Sequence, residues 1–233
     1  IIKLQDRADD MLKPILQANL NSPIRAKIPV AQHPLWDDMQ QTRINRQRWS
    51  DGLVNFVSLG DPTIKCFMNG VFGVFGLTGT LCLLGLATRR PIRGAIDIAW
   101  GVEIHQGELY GPAIARAYEL ESEIAQYPRI VVGPEMVHFL QAQAAYSGED
   151  IFLQTNQGLA AVCLKMLIQD VDGHWILNYL GKEFQNSITK EAHGDLRKKA
   201  REFVAEQLEV QQRNSNSKLA FRYAQLLSYV DAN

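Results

Sequence analysis

From Cys66 to Ala87 the chain runs for 22 residues without one charged side chain, bracketed by Lys65 on one side and by Arg89 and Arg90 on the other. At the helical rise, a segment of that length reaches about 33 Å, close to the hydrocarbon thickness of a bilayer. Two solutions exist for such a stretch: it crosses a membrane, or the rest of the protein encloses it on every side. Gly70, Gly73, Gly76, Gly79 and Gly85, with Asn69, Thr78 and Thr80, dilute its hydrophobicity. Spaced by three, the first four glycines drift slowly round a helix and let a neighbouring element come close.

The remaining composition is that of a globular chain. It has 233 residues, 46% of them hydrophobic, enough for one large domain or a domain with an added helical piece. The net charge of −1 offers no electrostatic attraction to nucleic acid, so the basic run from Arg197 to Arg201 reads as a solvated helix face. Cys66, Cys82 and Cys163 form no C-x-x-C pair and have no His cluster beside them. That pattern argues against zinc and disulfides and suits a reducing compartment. The start of the chain shows no basic-then-apolar leader, and the expected location is cytoplasmic.

Residues 6–20 place apolar side chains at helical spacing, interrupted by Pro14. Residues 21–40 read as loop because Pro23, Pro29 and Pro34 break them up. Strand-forming residues flank the turn Ser50-Asp51-Gly52, a hairpin signal. A helix is expected over residues 134–146. Apolar runs at 163–169 and 175–180 surround Asp170-Val171-Asp172-Gly173, which lacks the remaining ligands of a calcium loop and reads as a hairpin turn. Helices over about 191–212 and 218–230 close the chain.

Residues 91–132 combine R-G-A-I at Arg93 to Ile96, G-E-L-Y-G-P-A at Gly107 to Ala113, Y-E-L-E at Tyr118 to Glu121 and Y-P-R-I-V-V at Tyr127 to Val132. They read as two strands around a turn, a helix opened by Pro112 in its first turn, and another strand. Tyr127-Pro128 stops the helix, because a residue before proline is driven out of the α region. This block resembles the second half of a class III nucleotide cyclase homology domain. It is most similar to the divergent bacterial branch that includes the pyrimidine cyclases of antiphage defence, the Pycsar type. W-S-D-G-L-V-N-F at Trp49 to Phe56 is similar to that branch's upstream hairpin. The resemblance covers about half the chain. It implies an α+β fold with a ferredoxin-like antiparallel sheet and packed helices over residues 1–182, and a C-terminal helical extension over 183–233. It also implies that the segment from Cys66 to Ala87 is a buried helix, with a membrane span as the minor alternative.

Class III enzymes hold two Mg²⁺ or Mn²⁺ ions on two aspartates, and hard cations of this kind favour carboxylate oxygens. The hairpin aspartate matches Asp51, although Ser-Asp-Gly is also ordinary turn chemistry. No convincing match exists for the first-strand aspartate: Asp6 follows a short, half-polar run, and Asp9 and Asp10 fall within the helix pattern. The expectation is a metal strand upstream of Ile1; the rival is a lost metal site. The two base-recognition positions correspond to Asn45 and Glu108. Asn both donates and accepts, whereas an ionised carboxylate only accepts. This pair differs from the usual adenylate and guanylate pairs, and UTP or CTP is the favoured substrate.

The asparagine and arginine that class III enzymes carry on the following helix are replaced here by Ala115 and Glu119. Arg129, Arg116 and Arg93 are the substitutes able to reach phosphate, Arg129 first among them. Each could instead form a structural ion pair with Glu119 or Glu121. The implied activity is metal-dependent cyclisation of a nucleoside triphosphate by a homodimer with shared sites, possible biology being antiphage signalling. The alternative is an inert dimer of the same fold, acting as a nucleotide sensor or scaffold.

Overall fold

The computed structural model describes residues 25–49, 52–105, 107–189 and 193–233. The expected helix at 6–20, the aspartates within it, and Asp51 lie outside the described residues. In chain order, helix α1 (His33–Met39) precedes an antiparallel hairpin of β1 (Asn45–Trp49) and β2 (Gly52–Phe56). The charge-free segment is α2 (Met68–Ala87). Strand β3 (Gly94–Ile96) leads to a second hairpin, β4 (Val102–His105) and β5 (Glu108–Tyr110). Helix α3 (Pro112–Glu119) and β6 (Ile130–Val132) follow. Then come α4 (Pro134–Ala144) and α5 (Ile151–Lys165). The hairpin of β7 (Leu167–Gln169) and β8 (Trp175–Leu177) precedes the single turn α6 (Lys182–Phe184). The long pair α7 (His193–Arg213) and α8 (Ser217–Ala232) ends the chain.

The charge-free helix is the centre of the molecule. Of its most apolar window, 78% is buried inside the protein, against α5, α7 and β6. Its composition passes for a span because core helices and spans both lack charge; its burial is that of a core helix. The glycines serve close approach. A β-carbon at Gly79 would overlap the Phe184 ring, and one at Gly85 would sit 2.7 Å from the Arg90 carbonyl oxygen. The N-terminus of α2 has no local cap, so distant residues satisfy it. The Asp38 carboxylate accepts from the amides of Lys65 (3.0 Å) and Cys66 (2.7 Å). Asn156 on α5 accepts from the Met68 amide at 3.1 Å and donates to the Lys65 carbonyl at 2.8 Å.

The protein is α+β, with a correction to the sheet. The main sheet runs β3-β6-β8-β7 and is mixed, not wholly antiparallel: β3 and β6 are parallel, with Gly94 opposite Ile130 and Ile96 opposite Val132. The long connection through the second hairpin and α3 makes this possible, since parallel neighbours cannot be joined by a tight turn. β8 pairs antiparallel with both β6 and β7. Among the described residues, the hairpins β1–β2 and β4–β5 each form a separate two-stranded sheet. The apolar run 163–169 divides between the end of α5 and β7, while Asp170 to Gly173 form the expected turn, Gly173 taking φ +82°. One core runs through the molecule, from Leu83 and Ile130 to Val204 on α7 and Leu226 on α8.

Candidate functional site

The two hairpins lie against each other. The side-chain oxygen of Gln47 on β1 accepts from the Leu109 amide on β5 at 3.0 Å. The strands carrying Asn45 and Glu108, the two base-recognition candidates, are therefore neighbours. Asn45 is half-buried opposite Phe56; Glu108 is exposed, and its carboxylate accepts from the Tyr110 hydroxyl at 3.3 Å. That carboxylate's charge raises the Tyr110 phenol above its ordinary value. Gly107 takes φ +83° to turn the second hairpin, and its amide donates to Glu103 at 2.5 Å. β1 and β2 close on each other at Trp49 and Gly52, which bracket the undescribed Asp51 in sequence.

Beside the hairpins, at the carboxyl end of the parallel pair, sits an acidic residue that the motif reading passed over. Asp97 directly follows β3, and its side chain is 1% exposed. One oxygen accepts from the Met136 amide at 3.1 Å, capping α4 from another element, because Gly133 itself supplies no side-chain cap. The other accepts from Arg116 Nε at 3.0 Å. Gly133 must be glycine, since any β-carbon would overlap the Asp97 carboxylate. Arg116 Nη2 also lies 3.5 Å from Glu135. Crevices beyond the carboxyl ends of parallel strands are frequent ligand sites, and the place of Asp97 right after an apolar strand was the signal for it. At the start of α3, Gly111 has φ +110°, a value that favours glycine, and packs under the Trp100 ring.

The other two candidate arginines lie at the opposite, amino-terminal end of the same strands. Arg93 precedes β3 and pairs through Nε with Glu121 at 2.5 Å. Arg129 precedes β6 and is 3% exposed. It bonds Asp170, Asp172 (2.5 Å) and the Ile124 carbonyl (2.7 Å), and stacks 4.7 Å from the Tyr127 ring centroid. Burial pushes the Asp172 carboxyl up, but the Arg129 guanidinium and the His174 amide outweigh it and hold the carboxyl below its ordinary value. The helix that carries Arg116, α3, contacts β5 of the second hairpin, whereas Arg93 and Arg129 lie at the other end of the parallel strands. Ala115 and Glu119 are both exposed on α3.

Nucleophilic sulfur is not on offer here. Burial pushes the Cys66 thiol up to about 11 and those of Cys82 and Cys163 to about 12, so each stays protonated at neutral pH. Among the described residues, no group of three or more His, Cys, Asp or Glu side chains could hold a metal ion. Asp51, the expected Mg²⁺ or Mn²⁺ ligand, is outside them. No protein-family model, no curated protein and no solved structure matches the chain.

Proposed function

We propose that the protein is a metal-dependent nucleotide cyclase of the cytosol, related in fold to the class III cyclases. It converts a nucleoside triphosphate, UTP or CTP by preference, to a 3′,5′-cyclic nucleotide and pyrophosphate. The observation that carries the reading is the packing of the Asn45 strand against the Glu108 strand, beside the Asp97–Arg116 pair. Asn45 and Glu108 would meet the edge of the base, and Arg116, whose Nη1 bonds no carboxylate among the described residues, would meet phosphate. Mg²⁺ or Mn²⁺, held in part by Asp51, would acidify the 3′-hydroxyl and neutralise phosphate charge. The hydroxyl oxygen bonds the α-phosphorus, the bond to the β-phosphoryl oxygen breaks, and the hydroxyl proton passes to solvent. A homodimer completes the sites across an apolar face on the second hairpin. Antiphage signalling is the biology that the resemblance suggests.

The test is incubation with each of the four triphosphates and Mn²⁺. A cyclic product is expected, most from UTP or CTP, and Asp51→Ala should abolish it with an unchanged unfolding midpoint. No cyclic product from any of the four would end the proposal. A second reading, an inert dimer that senses nucleotide or acts as a scaffold, is favoured by one observation: each candidate arginine pairs with a carboxylate of its own chain. Under that reading, a triphosphate raises the melting temperature and is recovered unchanged.

A further inference from the structure

At the amino-terminal end of the parallel strands, away from the hairpins, a groove of about 270 Å³ opens between the loops entering β3 and β6 and the first turns of α8. We propose that it binds a small phosphomonoester with a flat apolar body. The proposal is independent of the cyclase reading and concerns a different place on the molecule. Its walls carry two guanidiniums, Arg93 and Arg222, and no carboxylate. Arg222 is half-buried and, among the described residues, makes no hydrogen bond or ion pair. Arg93 donates Nε to Glu121, and among the described residues its two amino groups donate no hydrogen bond. The groove lining is therefore net positive, with Arg222 unpaired among the described residues and Glu121 compensating Arg93 from outside the lining.

The two cations reach in from different elements, one from the β3 loop and one from α8. A tetrahedral phosphoryl group presents three oxygens in diverging directions and can satisfy both, whereas a planar carboxylate offers two oxygens in one plane. The apolar body is dictated by the remaining wall: Pro91, Pro128, Tyr127 and Tyr223. The two tyrosines are already held by contacts within the chain. The Tyr127 hydroxyl is held by Asp170, its ring is backed by Arg129, and Tyr223 rests edge-on against Phe203 with ring centroids 6.3 Å apart. A wall already ordered loses little conformational freedom on binding. The volume lies just below the range of ordinary small-molecule pockets, which limits the ligand to one ring and its phosphate.

Phenyl phosphate is the probe, with inorganic phosphate and benzoate as comparisons, titrated calorimetrically into the full chain. Saturable binding of phenyl phosphate is expected, tighter than that of either comparison. Arg222→Gln, which removes no hydrogen bond or ion pair among the described residues, should weaken it about tenfold or more, the usual scale for losing a charge-assisted contact. Asp51→Ala should leave it unchanged, so a failed cyclase reading and a failed groove are told apart. Absence of saturable binding at millimolar phenyl phosphate, equal affinity for benzoate, or insensitivity to Arg222→Gln would each overturn the proposal.

Discussion

Arg129 shows how a single residue can be fixed by its neighbours. Its guanidinium is enclosed by Asp170, whose side chain is 11% exposed, by Asp172, and by the Tyr127 ring. A buried pair of this kind adds little net stability over an apolar pair of the same shape. Removing one partner, however, leaves a charge without compensation. Arg129→Met should therefore cost about 3–5 kcal/mol in urea unfolding; a loss of under about 1 kcal/mol would show that the clamp is loose in solution. His193 supplies the pH dependence. It is 1% exposed, its Nε2 lies 3.4 Å from the Tyr179 carbonyl, and Arg197 is nearby. Burial, with a smaller contribution from Arg197 and some opposition from the Tyr179 carbonyl, lowers its pKa below the ordinary value. The folded state thus disfavours the proton that the unfolded chain accepts at about pH 6.5. Stability is full above that pH and falls as pH drops below it towards the folded value. Urea midpoints at pH 7.5 and 5.5 should show the fall, and His193→Gln should flatten it.

At the scale of elements, α2 shows what composition can and cannot reveal. Its length and lack of charge were plain in the chain, and so was the helix start at Gly111-Pro112, because both depend on local chemistry. Which faces its glycines serve was not readable, since the Phe184 ring over Gly79 comes from 105 positions along the chain. Gly79→Ala should cost about 1–3 kcal/mol by overpacking. Pairing it with Phe184→Leu should cost less than the two separate losses added, a coupling that a double-mutant cycle reads directly. Helix α5 escaped sequence reading because Thr155, Asn156, Gln157 and Gly158 interrupt its apolar spacing. Its one local signal was Asp150, which caps the Phe152 and Leu153 amides. The parallel pairing of β3 and β6 was equally hidden: three-residue strands carry too little pattern to fix a register. The candidate arginines were found by motif, and so was Glu121, which pairs with Arg93; Asp97, Asp170 and Asp172 were not, because they meet Arg116 and Arg129 only through tertiary packing.

At the scale of the whole molecule, the second hairpin turns an apolar surface outward. Trp100 is 70% exposed and Ile104 59%, with Val102 and Tyr110 exposed as cross-strand neighbours. Val102 stands opposite Tyr110 across the ladder, Trp100 lies just before β4, and Ile104 lies at the irregularity between Glu103 and His105. Tyr118, on the adjoining α3, is also exposed. Single exposed apolar residues are ordinary, but a contiguous group marks an interaction surface. The proposed two-fold partner would cover it with its own copy of the same patch, as a two-fold axis demands. Aromatics bury roughly 150–250 Å² each when fully covered, and a stable interface removes about 800 Å² per partner, so these residues would supply much of the requirement. Light scattering on the intact protein should give twice the chain mass. Trp100→Glu should give the chain mass alone, because it puts a charge on the most exposed aromatic of the patch, which the partner would have to desolvate. Since Trp100 lies outside the core, the variant should keep its far-ultraviolet dichroism and lose little stability, while the proposed cyclisation at shared sites should fall with the dimer. A wild-type protein that scatters as a monomer at tens of micromolar would remove the shared-site arrangement, and an undiminished dimer in Trp100→Glu would move the interface to another face.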